Sequence, residues 1–510
     1  MKIQKSNLTL LSVAALLSIA ATAPALEFEV KPLTHGNATG SEAYGLNEQG
    51  EIVGAMVLPG SSRRYPVLWK NGLAFLLPAP QDSQFNRATA INNDGKIIGT
   101  TQKVINSVTY SRGAVWEAGS PLMPIQAFLS QSAANIVPLA INDSDQVVGW
   151  GTHAISGTLI LDNPQGFRWT IGWPNPVNIG FLVTNDTAES SLVSVNSFGT
   201  AAGYSTDANG NRRVIRHKNN IQDLGIPAGY TTAQASGINA STAMSVNARL
   251  VGQPWRAVRW DLFDGYQTLP TLAGKNSYSH LSVGINDQGT IIGHATGNAE
   301  FIPLLWSDGA VHPINTLLTN SNGWTVSEVN DINERGQMVG FGKPNPSAPG
   351  QAILISPVQS LTYAVGLSDY VGGAHGVPYT VEFRDPNTNQ VLDTRQGTLS
   401  GGGSVGVATI KTTAQGTVKV RFKAWHWLSR VFTITLPAHG SASSSTIVFN
   451  GDVDGDDEVT IFDYIDLSAA FDTSSGEANF SADADLDGDG SVTIFDYIIL
   501  SNNFDKAGDL

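Results

Sequence analysis

No cysteine occurs in the 510 residues. That absence excludes disulfides, thiol nucleophiles and thiolate metal sites, and leaves stability to packed cores, which a chain of this length can build. Charge is also scarce, with Asp, Glu, Lys and Arg together making up 14% of the residues. Basic groups number 29 against 43 acidic ones. No basic surface is available in bulk to neutralise phosphates, so nucleic acid is excluded as a partner. Past the first 25 residues no apolar run is long enough to span a bilayer. Before residue 460 there is no long amphipathic helical period. The nine histidines show no metal-ligand spacing, and no nucleophile elbow or paired-carboxylate motif stands out. An active site assembled from several loops leaves no short motif, so a glycosidase carboxylate pair stays open.

What is present is repetition. Ala90-Ile91-Asn92-Asn93-Asp94-Gly95-Lys96-Ile97-Ile98-Gly99 has relatives beginning at Leu46-Asn47, Ile141-Asn142, Val195-Asn196, Ile285-Asn286 and Ile332-Asn333. A further copy, Ile238-Asn239, reads as carrying six extra residues before Leu250-Val251-Gly252. Successive Asn markers lie 45, 50, 54, 43, 47 and 47 residues apart, a period typical of repeat arrays. Each motif reads as a hairpin. Asn bonds to the backbone two residues on, a following Gly supplies positive φ, and β-branched residues start the return strand.

A second hairpin follows in each repeat: an apolar pair, Trp, and often Gly. It appears as Val67-Leu68-Trp69, Ala114-Val115-Trp116, Phe167-Arg168-Trp169, Val258-Arg259-Trp260 and Leu304-Leu305-Trp306. Asn71-Gly72 and Asp308-Gly309 are strong turn signals. In the fourth copy Arg216 takes the Trp position, and in the seventh Ile355 does. Two hairpins per repeat, seven times over, predict a seven-bladed β-propeller across 26–356. The pattern resembles the HAF-type extracellular repeat, and that resemblance implies the same fold. Leu26 to Leu33 alternates like a strand ahead of the first repeat, while the seventh repeat is a strand short. Residues 27–33 are therefore expected to complete the last blade.

Met1 to Ala25 reads as a secretory signal peptide, with Lys2 and Lys5, an apolar stretch from Leu8 to Ala21, and Ala23-Pro24-Ala25 for cleavage. The expected mature protein is secreted, extracellular or attached at the cell surface, with no membrane span. Residues 357–449 lose the repeat and read as six or seven strands of a small antiparallel β-sandwich. They are similar to transthyretin-like and carboxypeptidase-regulatory-like modules. Trp425 and Trp427, two residues apart, would share a face and offer a sugar-stacking platform.

The acidity sits at the end. Residues 451–510 hold sixteen acidic groups and one base, Lys506. Asp452, Asp454, Asp456 and Asp463 occupy positions 1, 3, 5 and 12 of one loop, and Asp485, Asp487, Asp489 and Asp496 those of another. This is EF-hand spacing for a hard, oxygen-seeking cation, with Glu458 and Ser491 at position 7 giving backbone carbonyls. Two Ca2+ sites are expected. A short helix follows each loop, and with Asp at position 12 the pair, 450–510, resembles a type I dockerin domain.

That resemblance implies docking to a cohesin-like partner through positions 10 and 11, here Ile461, Phe462, Ile494 and Phe495. Asp457 departs from the usual Gly at position 6, which puts the strength of the first site in question. The fold expected is mainly β: propeller, sandwich and a small α-helical calcium-binding module. The function expected is non-catalytic binding or attachment, possible ligands including polysaccharide. The rival is a polysaccharide-degrading O-glycosyl hydrolase or lyase docked through its tail. Facing carboxylates across the propeller mouth would favour that rival.

Overall fold

A computed structural model describes residues 26–509 except 35, 106–107, 118–120, 126–134, 153–162, 186, 320, 322 and 438–439. The signal-peptide expectation falls on 1–25, outside the described residues. The chain divides into two compact units, one of residues 28–356 and one holding 357–510.

The regular elements of the first unit, among the described residues, are strands apart from one short 3-10 turn. Each of the first six repeats gives four antiparallel strands in sequence order, as in Ser190–Val195, Ala201–Thr206, Arg212–His217 and Ile221–Gly225. Five sheets have four strands, and one has eight because a single parallel bridge, Arg64 to Phe85, joins the first two repeats. Strand Phe28–Pro32 lies at the edge of the sheet formed by Thr325–Ile332, Met338–Lys343 and Gln351–Pro357. The first strand of the unit thus completes the last sheet, and the array is propeller-like and closed.

The Asn motif does more than turn the chain. Asn47 Oδ1 accepts from the backbone of Gln49 and Glu51, which fixes the hairpin. Its Nδ2 then donates to the carbonyl of Asn92, the marker of the next repeat, at 3.1 Å. Asn92, Asn142, Asn196, Asn239 and Asn286 do the same in turn, and Asn333 donates back to Asn47 at 3.2 Å. All seven side chains are buried, so each donor would cost roughly 1–3 kcal/mol if left without its acceptor.

Glycine is needed twice in the motif for different reasons. Gly95 has φ +79°, while Gly99 sits opposite a bulge where a Cβ would meet the Arg87 carbonyl at 2.1 Å. Two readings of the repeats are corrected by the register. The copy at Asn239 has no insertion, because Thr242, at φ 66°, replaces the turn glycine and Met244–Arg249 follows directly. In the fourth copy His217, not Arg216, stands at the Trp position. It pairs with Ala201 as Trp69 pairs with Ile52 and Trp116 with Ile97.

In the second unit, two four-stranded sheets enclose one core containing Leu361, Tyr363, Phe383, Phe422 and Trp427. It is not wholly antiparallel: Gln359–Leu367 and Gly440–Val448 run parallel over nine residue pairs. Strand Val391–Thr398 escapes a sequence reading because it is a polar edge strand with no apolar alternation. The expected indole platform is absent. The strand ends at Ala424, so alternation no longer applies, and Trp427 is 0% exposed in the core.

Candidate metal centre and docking face

Among the described residues the α-helices are α1 (Ile461–Ala469) and α2 (Ile494–Asn503), one after each acidic loop. Both open with a capping box, in which the Thr460 and Thr493 hydroxyls accept from the first turn and Asp463 and Asp496 bond back to the cap. The position-12 carboxylates are therefore N-terminal helix residues, where an anion meets unsatisfied N–H groups and the positive end of the dipole. Asp463 Oδ1 also accepts from Val453 N at 2.6 Å, which draws the loop onto the helix.

In the first loop, carboxylate oxygens of Asp452, Asp454 and Asp463 lie within 4.8 Å of one another. In the second, Asp485, Asp487 and Asp489 do so. Asp456, Glu458, Ser491 and Asp496 belong to the same loops but stand outside these two groups. Asp452, Asp463, Asp485 and Asp496 are buried. Burial, with neighbouring carboxylates adding to it, pushes Asp485 up to about 6 and raises Asp487. Convergent, all-oxygen donors that resist ionising together are what a hard divalent cation would relieve. The residue set fits Ca2+, which would supply the positive charge around which each loop folds.

The first loop is also tied to the sheets. Lys423 Nζ contacts Asp452, and burial still raises the Asp452 carboxyl against that pull. Asp457, the departure from Gly, does adopt positive φ, at 73°. Its carboxylate accepts from Arg421 at 2.7 Å and from the backbone of Ser429 at 2.7 Å. On the second loop, the Asp487 carbonyl accepts from Val371 N at 2.7 Å. These basic and polar partners lie outside the acidic stretch, and no spacing in the sequence announces them.

Ile461, Phe462, Ile494 and Phe495 are all more than half exposed. Tyr464 and Tyr497 meet edge to face at 5.8 Å between them. Ile465 and Ile498 are exposed as well, so both helices present the same set of apolar side chains.

In the repeat unit, the Asn ring surrounds a cavity of about 350 Å³ whose lining includes Glu48, Asp143, Asp287, Asp331 and Glu334. The mouth is therefore not confined to neutral residues. Glu334 Oε2 accepts from Asp287 N, Glu48 Oε1 from Glu334 N, and Asp143 Oδ1 from Asn93 N, linking neighbouring repeats. Burial pushes Glu334 and Asp331 up to about 7, helped by surrounding carboxylates. No sequence motif marked Asp331 or Glu334, because the carboxylates of this ring come from separate repeats.

Comparison with protein-family profiles finds no match, and comparison with curated protein sequences finds none either. Among solved structures the chain is similar to a type II cohesin–X-dockerin complex from Acetivibrio cellulolyticus. The identity is 21%, over 29% of this chain and 97% of that one, with a TM-score of 0.23. It is similar to the β-propeller domain of the trilobed protease from Pyrococcus furiosus, at 8% identity over 66% of this chain and 94% of that one, TM-score 0.37. It is also similar to prolyl oligopeptidase B from Galerina marginata, at 11% identity and TM-score 0.43. That match covers 60% of this chain and 48% of the peptidase. No helix among the described residues is long and apolar enough to cross a membrane.

Proposed function

We propose that this is an exported, non-catalytic binding protein with a seven-bladed propeller as binding platform and a calcium-dependent, dockerin-like tail. The tail attaches the protein to a cohesin-like or other surface partner. The observation that carries this reading is the paired apolar face, with Ile461, Phe462, Ile494 and Phe495 exposed on two helices that begin at the acidic loops. Exposed apolar side chains this concentrated mark an interface. Residues 459–465 and 492–498 are identical in sequence, so a half-turn presents the same face and two docking orientations are expected. The test is capture by immobilised cohesin domains with calcium and with chelator. Changing either Ile–Phe pair to Asp should leave binding largely intact, and changing both should abolish it. Capture that ignores chelator, or is lost with one pair alone, overturns the corresponding part.

A second reading, an O-glycosyl hydrolase or lyase acting at the propeller mouth, draws on the carboxylates of the Asn-ring cavity, among which burial raises Glu334, Asp331 and Glu48. Against it, Glu48, Asp143 and Glu334 already accept backbone N–H groups that hold adjacent repeats together. Release of reducing or unsaturated sugar from a polysaccharide panel, lost in Glu334→Gln, would establish it.

A further inference from the structure

In five repeats a Trp occupies the same register on the third strand: Trp69, Trp116, Trp169, Trp260 and Trp306. Several of these indoles donate to a carbonyl beneath them, as Trp116 does to Pro78 and Trp306 to Pro270. In the fourth repeat the residue is His217. It is 8% exposed, and its Nδ1 has no hydrogen-bond partner. A cavity of about 750 Å³ lies between the third and fourth repeats, with His217 in its wall.

The lining of this cavity is unlike the rest of an acidic chain. No acidic side chain lines it among the described residues, whereas Arg168 and Lys218 both do. The Arg168 guanidinium donates to the neutral acceptors Gln146 Oε1 and the carbonyls of Gly199 and Lys218. Burial lowers it below the usual arginine range with no neighbouring carboxylate in opposition. The corresponding cavity between the first and second repeats, about 670 Å³, is lined by Glu51, Asp94 and Glu117. At the rim of the His217 cavity, Trp173 is 63% exposed, and Asn175 and Asn219 line the same space. A bare indole suits the apolar face of a pyranose ring, amides suit its hydroxyls, and uncompensated cations suit a carboxylate.

We propose that the cavity between the third and fourth repeats binds an acidic oligosaccharide, the uronate carboxylate meeting Arg168 and Lys218 and a sugar ring stacking on Trp173. This rests on the reading of the propeller as a binding platform and gives that platform a site and a ligand class. The full chain, kept in calcium, is titrated calorimetrically with a xylo-oligosaccharide bearing one glucuronate, with neutral xylotetraose, and with inorganic sulfate. The acidic sugar should bind about tenfold or more tightly than either control. Trp173→Ala and Lys218→Gln, both at exposed positions, should each weaken it about tenfold.

If the neutral sugar binds as well, or sulfate does, the acidic-sugar assignment is wrong. If Trp173→Ala and Lys218→Gln both keep wild-type affinity, the site is wrong although the platform reading survives. If no sugar binds the wild-type chain, the site fails. Capture of these same variants by cohesin domains reports on the tail separately, so the two failures are distinguishable.

Discussion

The repeats and the acidic tail open their turns with side chains that differ by one chemical group. Asn47 accepts two backbone N–H groups through its carbonyl oxygen, and Asp485 accepts from Gly488 and Gly490 through its carboxylate. Locally they do the same work. The difference lies in what remains. The amide has two N–H donors left and gives one to the next repeat, so seven neutral residues satisfy one another around a circle. The carboxylate can only accept, so its repetition accumulates charge. That charge needs a cation from outside or a base from elsewhere in the chain, such as Lys423 beside Asp452. One region closes on itself, and the other stays dependent on a partner.

Removing the metal should separate the two regions most sharply. With chelator, amides of 451–509 are expected to exchange about 100-fold faster or more, while those of 28–356 keep their protection. Equal loss in both, read by hydrogen exchange with mass spectrometry, would put the cation in the wrong place. Next in size is Asn196→Asp, which keeps both turn acceptors but deletes the donor to Asn239 and buries a charge in its place. A loss of about 3 kcal/mol in urea unfolding is expected, and a change under 1 kcal/mol would reduce the ring to decoration. The converse swap, Asp485→Asn, keeps one turn acceptor but cannot replace the oxygen that accepts from Gly490 N, and it should weaken calcium binding at the second loop, as followed by calorimetry.

Asp457→Gly should relieve the positive-φ strain but lose the bonds to Arg421 and Ser429. The expected outcome is a net loss of about 1 kcal/mol, where relief of strain alone would predict a gain.

The smallest effect expected depends on pH. Glu334 holds a folded value of about 7, above its unfolded one. Its stabilising contribution is full below the unfolded value and is lost as pH rises through the folded one. Glu334→Gln should therefore match the wild-type midpoint near pH 4, and exceed it near pH 8 by the equivalent of about 1 kcal/mol after discounting for solvent screening. Coincident curves at both pH values would show that the ring of carboxylates is already relieved by other means.

Much of this was legible in the sequence because it is local. An Asn followed by Gly makes its own hairpin, and three of the four spaced carboxylates in each loop, positions 1, 3 and 12 in one and 1, 3 and 5 in the other, converge through the winding of a single loop. The place of the first strand was legible by counting. What stayed hidden was long-range or depended on register. Nothing near Asn92 reveals that its amide reaches a carbonyl 50 residues away. Arg216 looked like the missing Trp because an apolar pair precedes it. The ladder instead aligns His217, since in this copy the residue before the Trp position is Arg, as in Phe167-Arg168-Trp169. Asp457 looked like a defect until Arg421 and Ser429 were placed against it. The two-residue alternation that suggested an indole platform failed where the strand had already ended.

The placement of Phe28–Pro32 in the final sheet also sets a timetable. During synthesis this strand is among the first parts of the unit to appear, yet its neighbour Gln351–Pro357 is the last. The same holds for Leu46 N, whose acceptor on Asp331 lies 285 residues downstream. Six repeats can stack on their predecessors as they emerge, but the first edge has no partner until the seventh is complete. Closure is then a single late event across nearly the whole unit, with the entropy of a long loop to overcome and an unpaired edge held open meanwhile.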